Sequence, residues 1–283
     1  MNQQINDMNT DRAWNCLYAR LHEDGLIPEA TERKPRRLLP PAGWAAAILL
    51  LCAGTLITLA LLQKEAGGAE TPLLSLHNEK GAVTLVTTLE DGSIVYLADD
   101  TRLDYPEHFM PDKREVSLRG EALFDVKGNR ERPFLITTGA ARIEVRGTAF
   151  NVQSTDNKLL ELSVRQGEVK VVHTENGQSL YAKAGETVKL SSSGQLSLEP
   201  NPDTAFSRYN GRIRFKDEKL SDILEVINRK GGDGLLQTTP ALENRKITVT
   251  FADDTPESVA ALICIAFNLI CKKENNVLLI SEP

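Results

Sequence analysis

Ile143-Glu144-Val145-Arg146-Gly147-Thr148-Ala149-Phe150-Asn151-Val152 is the stretch that decides the fold class. Before the glycine, apolar Ile143 and Val145 alternate with charged Glu144 and Arg146. That period of two places successive side chains on opposite faces of a strand. Gly147 supplies a turn and Thr148 opens the next strand. Outward from this stretch the pattern repeats, as in Val169-Lys170-Val171. Turn signals fall at Asp91-Gly92, Gly120, Gly128-Asn129, Gly139, Asp156-Asn157, Gly167, Asn176-Gly177, Gly185 and Gly194, spaced 8–11 residues apart from Gly120 onward. Short strands at that spacing predict an all-β domain over residues 80–200, as a sandwich, a jelly roll or a β-solenoid.

After Pro200-Asn201-Pro202 the period changes, and residues 201–283 read as a small α+β domain of two β-α-β units. Arg212 to Phe215 is a strand, Leu220, Ile223, Leu224 and Ile227 mark a helix closed by Gly231-Gly232, and a short strand follows at Leu235-Leu236-Gln237. The second unit starts with the strand Lys246 to Phe251. Thr255 is an N-cap with Pro256 at the first helical position. Val259, Leu262, Ile263 and Ala266 give that helix its buried stripe, and strands near Leu269–Lys273 and Val277–Ile280 flank an Asn275-Asn276 turn.

Toward the N-terminus, Leu38 to Gln63 holds no charged residue, and 17 of the 21 residues from Ala42 to Leu62 are hydrophobic. As a helix rising about 1.5 Å per residue, that run matches the hydrocarbon core of a bilayer. Residues 41–63 are therefore read as one transmembrane helix, followed by a linker over 64–79. Arg33, Lys34, Arg36 and Arg37 precede it, which places the N-terminus in the cytoplasm. A cleaved signal peptide is the competing reading, but the apolar run is longer than such a segment needs and about 40 residues precede it. The bulk of the chain then lies across the membrane.

The 283-residue chain is 41% hydrophobic and 25% charged, which excludes wholesale disorder. Its net charge of -6 supplies no basic surface for direct nucleic-acid binding. Cys16, Cys52, Cys264 and Cys271 form no metal-spaced cluster, and the histidines are scattered, so neither metal nor cofactor is expected. Phosphate-loop, dinucleotide, zinc-protease and serine-hydrolase motifs are absent, so no enzyme is expected. Glu121 and Asp125 straddle a strand and read as a solvated face. Residues 10–24 form an amphipathic helix, with Thr10 as N-cap and Trp14, Leu17, Tyr18 and Leu21 on one stripe. Such a short helix needs a surface, either the inner leaflet or a partner's groove.

Several ordered motifs carry a family resemblance. Leu89-Glu90-Asp91-Gly92-Ser93-Ile94-Val95-Tyr96-Leu97 resembles the opening of the FecR family. Tyr105-Pro106, Arg114 to Val126 with its Gly120-Glu121-Ala122-Leu123-Phe124, and Pro133-Phe134 resemble its core. Val145 to Val152, Val164-Arg165-Gln166-Gly167-Glu168-Val169 and Ala184-Gly185-Glu186 complete it. Residues from Arg212 to Ile280 resemble the second domain of the longer members, similar to the short N-terminal domain of secretins and TonB-dependent transducers.

The resemblance implies an inner-membrane, single-pass anti-sigma regulator. It implies a cytoplasmic segment, residues 1–40, that binds an extracytoplasmic-function sigma factor, which makes Trp14, Leu17, Tyr18 and Leu21 the sigma-docking residues. It also implies a periplasmic part that receives a signal from the N-terminal signalling domain of an outer-membrane TonB-dependent transducer. The final strand, Val277, Leu278, Leu279 and Ile280, is the expected edge for that partner, since no later strand covers it. Some family members self-cleave at a Gly-Thr bond, which here is Gly147-Thr148. A membrane-anchored periplasmic ligand-binding or scaffold module without sigma-factor control is the alternative function.

Overall fold

A computed structural model describes residues 4–26, 55, 72–155, 159–231, 235–252 and 254–283. The chain divides into two units, Met1–Gly67 and Gly68–Pro283. In the first, helix α1 spans Gln4–Glu23. It begins six residues before the expected Thr10 cap, because Gln4 to Asn9 contains neither Gly nor Pro to stop it. The predicted span at 41–63 lies outside the described residues except for Thr55, which is helical. Among the described residues no helix is long and apolar enough to cross a membrane.

In the second unit the alternating runs form thirteen strands: β1 (Leu73–Asn78), β2 (Thr84–Thr88), β3 (Ile94–Leu97), β4 (Thr101–Pro106), β5 (Arg114–Asp125), β6 (Phe134–Thr137), β7 (Ala141–Val145), β8 (Ala149–Thr155), β9 (Leu159–Gln166), β10 (Glu168–His173), β11 (Ser179–Lys183), β12 (Glu186–Leu190) and β13 (Leu196–Pro200). The first half of β5 pairs with β4 and β6, in a sheet ordered β1-β4-β5-β6-β7-β10-β11. Its second half pairs with β3 and β8, in a sheet that continues through β9 and β12 to β13. The result is an all-β domain, as the alternating pattern predicts, in which the two runs of strands are joined through one long strand, β5. The sequence reading places a turn at Gly120. The structure instead places Gly120 inside β5, at φ +107, where the strand passes from one sheet to the other. A side chain there would meet the Thr101 hydroxyl at 2.7 Å and the Asp100 carbonyl at 2.9 Å. β1 also occupies the end of the stretch read as linker, paired antiparallel with β4.

The side chains that alternate inward make the core between the sheets. Phe124 stacks on Phe150 with ring centroids 5.5 Å apart and meets Phe134 edge-on at 6.3 Å. Val95, Leu97, Ile136, Ile143, Val152, Leu162, Val164, Val169 and Val188 fill the space around them, all buried. Each such side chain contributes roughly 1.5–3 kcal/mol through removal of apolar area from water.

A single 3-10 turn at Ser207–Asn210 leads into β14 (Ile213–Lys219), α2 (Leu220–Lys230), β15 (Leu235–Thr238), α3 (Pro240–Glu243), β16 (Lys246–Phe251), α4 (Pro256–Phe267), β17 (Ile270–Glu274) and β18 (Val277–Ser281). Thr255 caps α4 as expected, accepting from Ser258 N–H. The strands of each β-α-β unit do not stay together. β14 pairs antiparallel with β16 and parallel with β2, so these two strands extend the second sheet of the β domain. β15, β18 and β17 form a separate sheet in that order.

Two expectations are corrected here. Val277, Leu278, Leu279 and Ile280 lie in β18, the central strand, paired parallel with β15 and antiparallel with β17. The last strand in sequence inserts between its neighbours because Leu278 and Ile280 have to reach the core, where both are buried. No edge remains on it for a partner. On α4 the buried residues are Pro256, Val259, Ala260, Ile263 and Cys264, while Leu262 and Ala266 face outward. The stripe turns because the helix packs through two adjacent ridges, 259/263 and 260/264.

Candidate functional site

The motif residues of the β domain converge on a buried ion pair. Asp91 sits in the tight turn between β2 and β3, where its carboxylate accepts from Ser93 N–H at 3.0 Å and from the Ser93 hydroxyl at 2.7 Å. Arg114 at the start of β5 donates Nη1 to Asp91 Oδ2 at 2.6 Å and to the Lys127 carbonyl at 2.9 Å, and Nε to the Arg132 carbonyl at 3.0 Å. Its guanidinium lies over the Phe134 ring, 5.4 Å from the centroid. The side chains of Arg114 and Asp91 are 2% and 9% exposed, so this pair works in a desolvated setting. It ties the loops at 91–93, 127 and 132–134 to β5.

Gly147 and Thr148 form the turn between β7 and β8. Gly147 has φ +147, and a Cβ on it would fall 2.7 Å from Gly128 Cα, so the backbone approach there admits no side chain. Thr148 is buried. Its Oγ1 has no hydrogen-bond partner among the described residues, while its carbonyl accepts from Val126 N–H. Gly147 also lines a polar surface cleft with Glu144, Arg146, Glu168 and Lys170.

A third cluster joins the β domain to the C-terminal segment. Arg208 donates Nη1 to Glu121 Oε2 and Nη2 to Asp99 Oδ1, the latter at 3.1 Å. Tyr209 donates its hydroxyl to Asn151 Oδ1 at 2.8 Å. Arg229 on α2 reaches Asp125 at 3.0 Å, and the Arg165 guanidinium stacks 4.4 Å from the Phe206 ring centroid. Beneath them Val86, Ile94, Tyr96 and Leu123 from the β domain share one core with Tyr209, Ile213, Phe215, Ile223 and Phe251. Burial pushes the Tyr96 hydroxyl up to about 12 and raises Tyr209 as well. Glu121 and Asp125, read from sequence as a solvated face, are thus anchor points. Their partners lie 87 and 104 residues away in sequence, so no local pattern reveals them.

On α1, Trp14, Leu17, Tyr18 and Leu21 share one stripe as the spacing predicts. Trp14 is 61% exposed and Tyr18 62%, with Leu17 also exposed and Leu21 half-buried. Among the described residues no group of three or more His, Cys, Asp or Glu side chains is arranged to hold a metal.

The family model described as FecR protein matches residues 80–170, the stretch that contains both the Asp91–Arg114 pair and the Gly147-Thr148 turn. Residues 80–170 are therefore similar to the FecR family over about a third of the chain. The FecR motifs now have physical content: Asp91, Ser93, Arg114 and Phe134 build one buried lock, and the glycine of Gly147-Thr148 permits the close approach to Gly128. Two crystal structures of candidate anti-sigma factors from Parabacteroides distasonis are similar to the chain. One is 23% identical with a TM-score of 0.46, covering 75% of this chain and 100% of that one. The other is 23% identical with a TM-score of 0.45, covering 74% and 99%. A comparison with curated proteins finds no match.

Proposed function

We propose that this chain is a single-span inner-membrane regulator whose cytoplasmic helix α1 binds an extracytoplasmic-function sigma factor and whose periplasmic unit receives a signal from the signalling domain of an outer-membrane TonB-dependent transducer. The observation that carries the reading is the similarity to FecR at residues 80–170, joined in one chain to a bilayer-length apolar segment and an N-terminal helix with an exposed apolar stripe. Trp14, Leu17, Tyr18 and Leu21 are the contact residues. The pattern of anchors at i, i+3, i+4 and i+7 is that of a helix laid into a groove.

Burying Leu17 against a partner contributes roughly 1.5–3 kcal/mol, and forcing a carboxylate into that groove costs more. Leu17→Asp is therefore expected to weaken binding of the full-length chain, in detergent micelles, to its sigma factor by about a hundredfold, measured by calorimetry. Equal affinity of the variant and the parent protein would remove α1 from the role.

A second reading, self-cleavage, is favoured by the unpartnered Thr148 hydroxyl. In it, Thr148 Oγ attacks the Gly147 carbonyl carbon and the amide nitrogen of Thr148 leaves, giving an ester. Water then hydrolyses the ester to a Gly147 carboxylate and a fragment that begins at Thr148. Intact mass measurement of the protein from cells is expected to show that fragment, and Thr148→Ala to abolish it. Finding only full-length parent protein ends this reading.

A further inference from the structure

The corner where α4 turns into β17 brings two thiols together. Cys264 lies in the last turn of α4 and Cys271 is the second residue of β17, and both are free. Asn268 ends the helix in the left-handed conformation, at φ 54, and the N–H groups of Asn268 and Leu269 both donate to Cys264 O. That cap reverses the chain, so β17 runs back along the helix it has just left.

Leu269, Cys271 and Lys273 alternate onto one face of the strand, and that face meets α4. Leu269 and Cys271 pack against the buried cluster that contains Cys264. Lys273 lies 3.6 Å from Glu257, two turns before Cys264 on the same side of the helix. Cys271 thus sits between two pinned points. Across the ladder it stands opposite Ile280, which is fully buried, so its side chain is on the inner face. The Cys264 side chain leans toward it, because a helical Cα–Cβ bond tilts toward the N-terminus. Burial, and then the Cys271 thiol hydrogen-bonded beside it, pushes the Cys264 thiol up to about 11. Cys271 is only half-buried and is the sulfur that an outside reagent reaches first.

Among the described residues no third His, Cys, Asp or Glu joins the pair to hold a metal. The chemistry left to two facing thiols is a bond between them. We propose that Cys264 and Cys271 form a disulfide that ties α4 to β17, made by exchange with the disulfide of a protein oxidant. Cys271 gives its proton to water and its sulfur attacks the oxidant's disulfide. A mixed disulfide forms as the oxidant's own S–S bond breaks, and the released sulfur takes up a proton. Cys264 then loses its proton and attacks Cys271 Sγ, which breaks the mixed disulfide and frees the oxidant as a dithiol. Two electrons and two protons pass from the cysteine pair to the oxidant. Such oxidants work outside the cytoplasm, so formation in cells rests on the topology proposed above, whereas the pairing of the two thiols does not.

The test equilibrates the full-length chain, in detergent micelles, with oxidised glutathione, and in parallel traps cells that express it in acid. Free thiols are alkylated and the protein is digested with trypsin. No Lys or Arg lies between Ile247 and Cys271, so both cysteines fall on the peptide that ends at Lys272, while Cys16 and Cys52 fall on others. In both samples that peptide is expected to carry no alkyl group and to weigh two hydrogens less than the dithiol form. Oxidation is expected to raise the melting temperature of the parent protein by about 5 °C and to leave that of Cys271→Ser unchanged. Two alkyl groups on the glutathione-treated peptide, or glutathione held on either sulfur, overturn the disulfide and leave the topology standing. A bridge with no gain in melting temperature overturns its role in tying α4 to β17. A bridge in micelles with two alkyl groups in the trapped cells overturns its formation in cells and counts against the topology, not against the pairing.

Discussion

Asp91→Ala is expected to destabilise the unit Gly68–Pro283 by about 3–5 kcal/mol, because it strands the Arg114 guanidinium in a buried site without its counter-charge. Arg114 keeps its bonds to the Lys127 and Arg132 carbonyls, at 2.9 and 3.0 Å, but these are neutral acceptors and do not offset the lost carboxylate. Chemical denaturation of the parent protein and the variant measures the loss. The double variant Asp91→Ala/Arg114→Met removes both charges and lets an apolar side chain lie against Phe134, so it should recover most of the stability. A single variant within about 1 kcal/mol of the parent protein would show that the pair does not hold the β domain together.

The second large effect is pH-dependent and lies where β14 leaves the sheet. Asp217, at φ +56, interrupts the register of β14 between Phe215 and Glu218, and Glu218 turns inward. Burial pushes its carboxyl up to about 7, while the Thr87 hydroxyl, the Thr88 backbone and Lys246 pull it down and Asp222 adds to the rise. The charge of Glu218 in turn raises the Tyr105 hydroxyl, which burial raises more. The folded state thus binds the proton more tightly than the unfolded chain, whose carboxyl titrates near its ordinary 4.5. Stability from this group rises as the pH falls from about 7 toward 4.5, and above 7 the full cost of the buried charge is present, on the order of 2–3 kcal/mol. Glu218→Gln keeps the shape and removes the charge. It is expected to raise the melting temperature at pH 8 and to leave it nearly unchanged at pH 4.5. A variant no more stable than the parent protein at pH 8 would mean that Glu218 is solvated.

Much of this architecture was legible in the sequence for a stated reason. The strands from Thr84 to Pro200 alternate with period two because one face of each meets the core, and eight of the eleven connections between them contain a glycine. The ends of β16 and α4 were legible from a β-branched run and from Thr255-Pro256. Three features were not. Gly120 signals a turn and a bend with the same residue, and only the length of β5 distinguishes them. The order of β15, β17 and β18 is a long-range property. Nothing in Val277-Leu278-Leu279-Ile280 says that it enters between earlier strands rather than beside them. The seam built on Glu121, Asn151 and Asp125 joins residues far apart in sequence, so acidic positions that look solvated along one strand turn out to hold Arg208 and Arg229. For the candidate site, the spacing of Trp14, Leu17, Tyr18 and Leu21 was sufficient because a helix stripe is a local pattern. The Asp91–Arg114 lock was legible only as a pair of separate motifs.

The proposed function requires α1 and residues 80–170 to lie on opposite sides of a membrane, an expectation drawn from Arg33, Lys34, Arg36 and Arg37 before an uncharged stretch. The most direct measurement fuses an enzyme active only in the periplasm at two points, after Pro283 and before Leu38, and assays both fusions in intact cells. The fusion after Pro283 should be active and the fusion before Leu38 inactive. Activity before Leu38 together with inactivity after Pro283 would contradict the account.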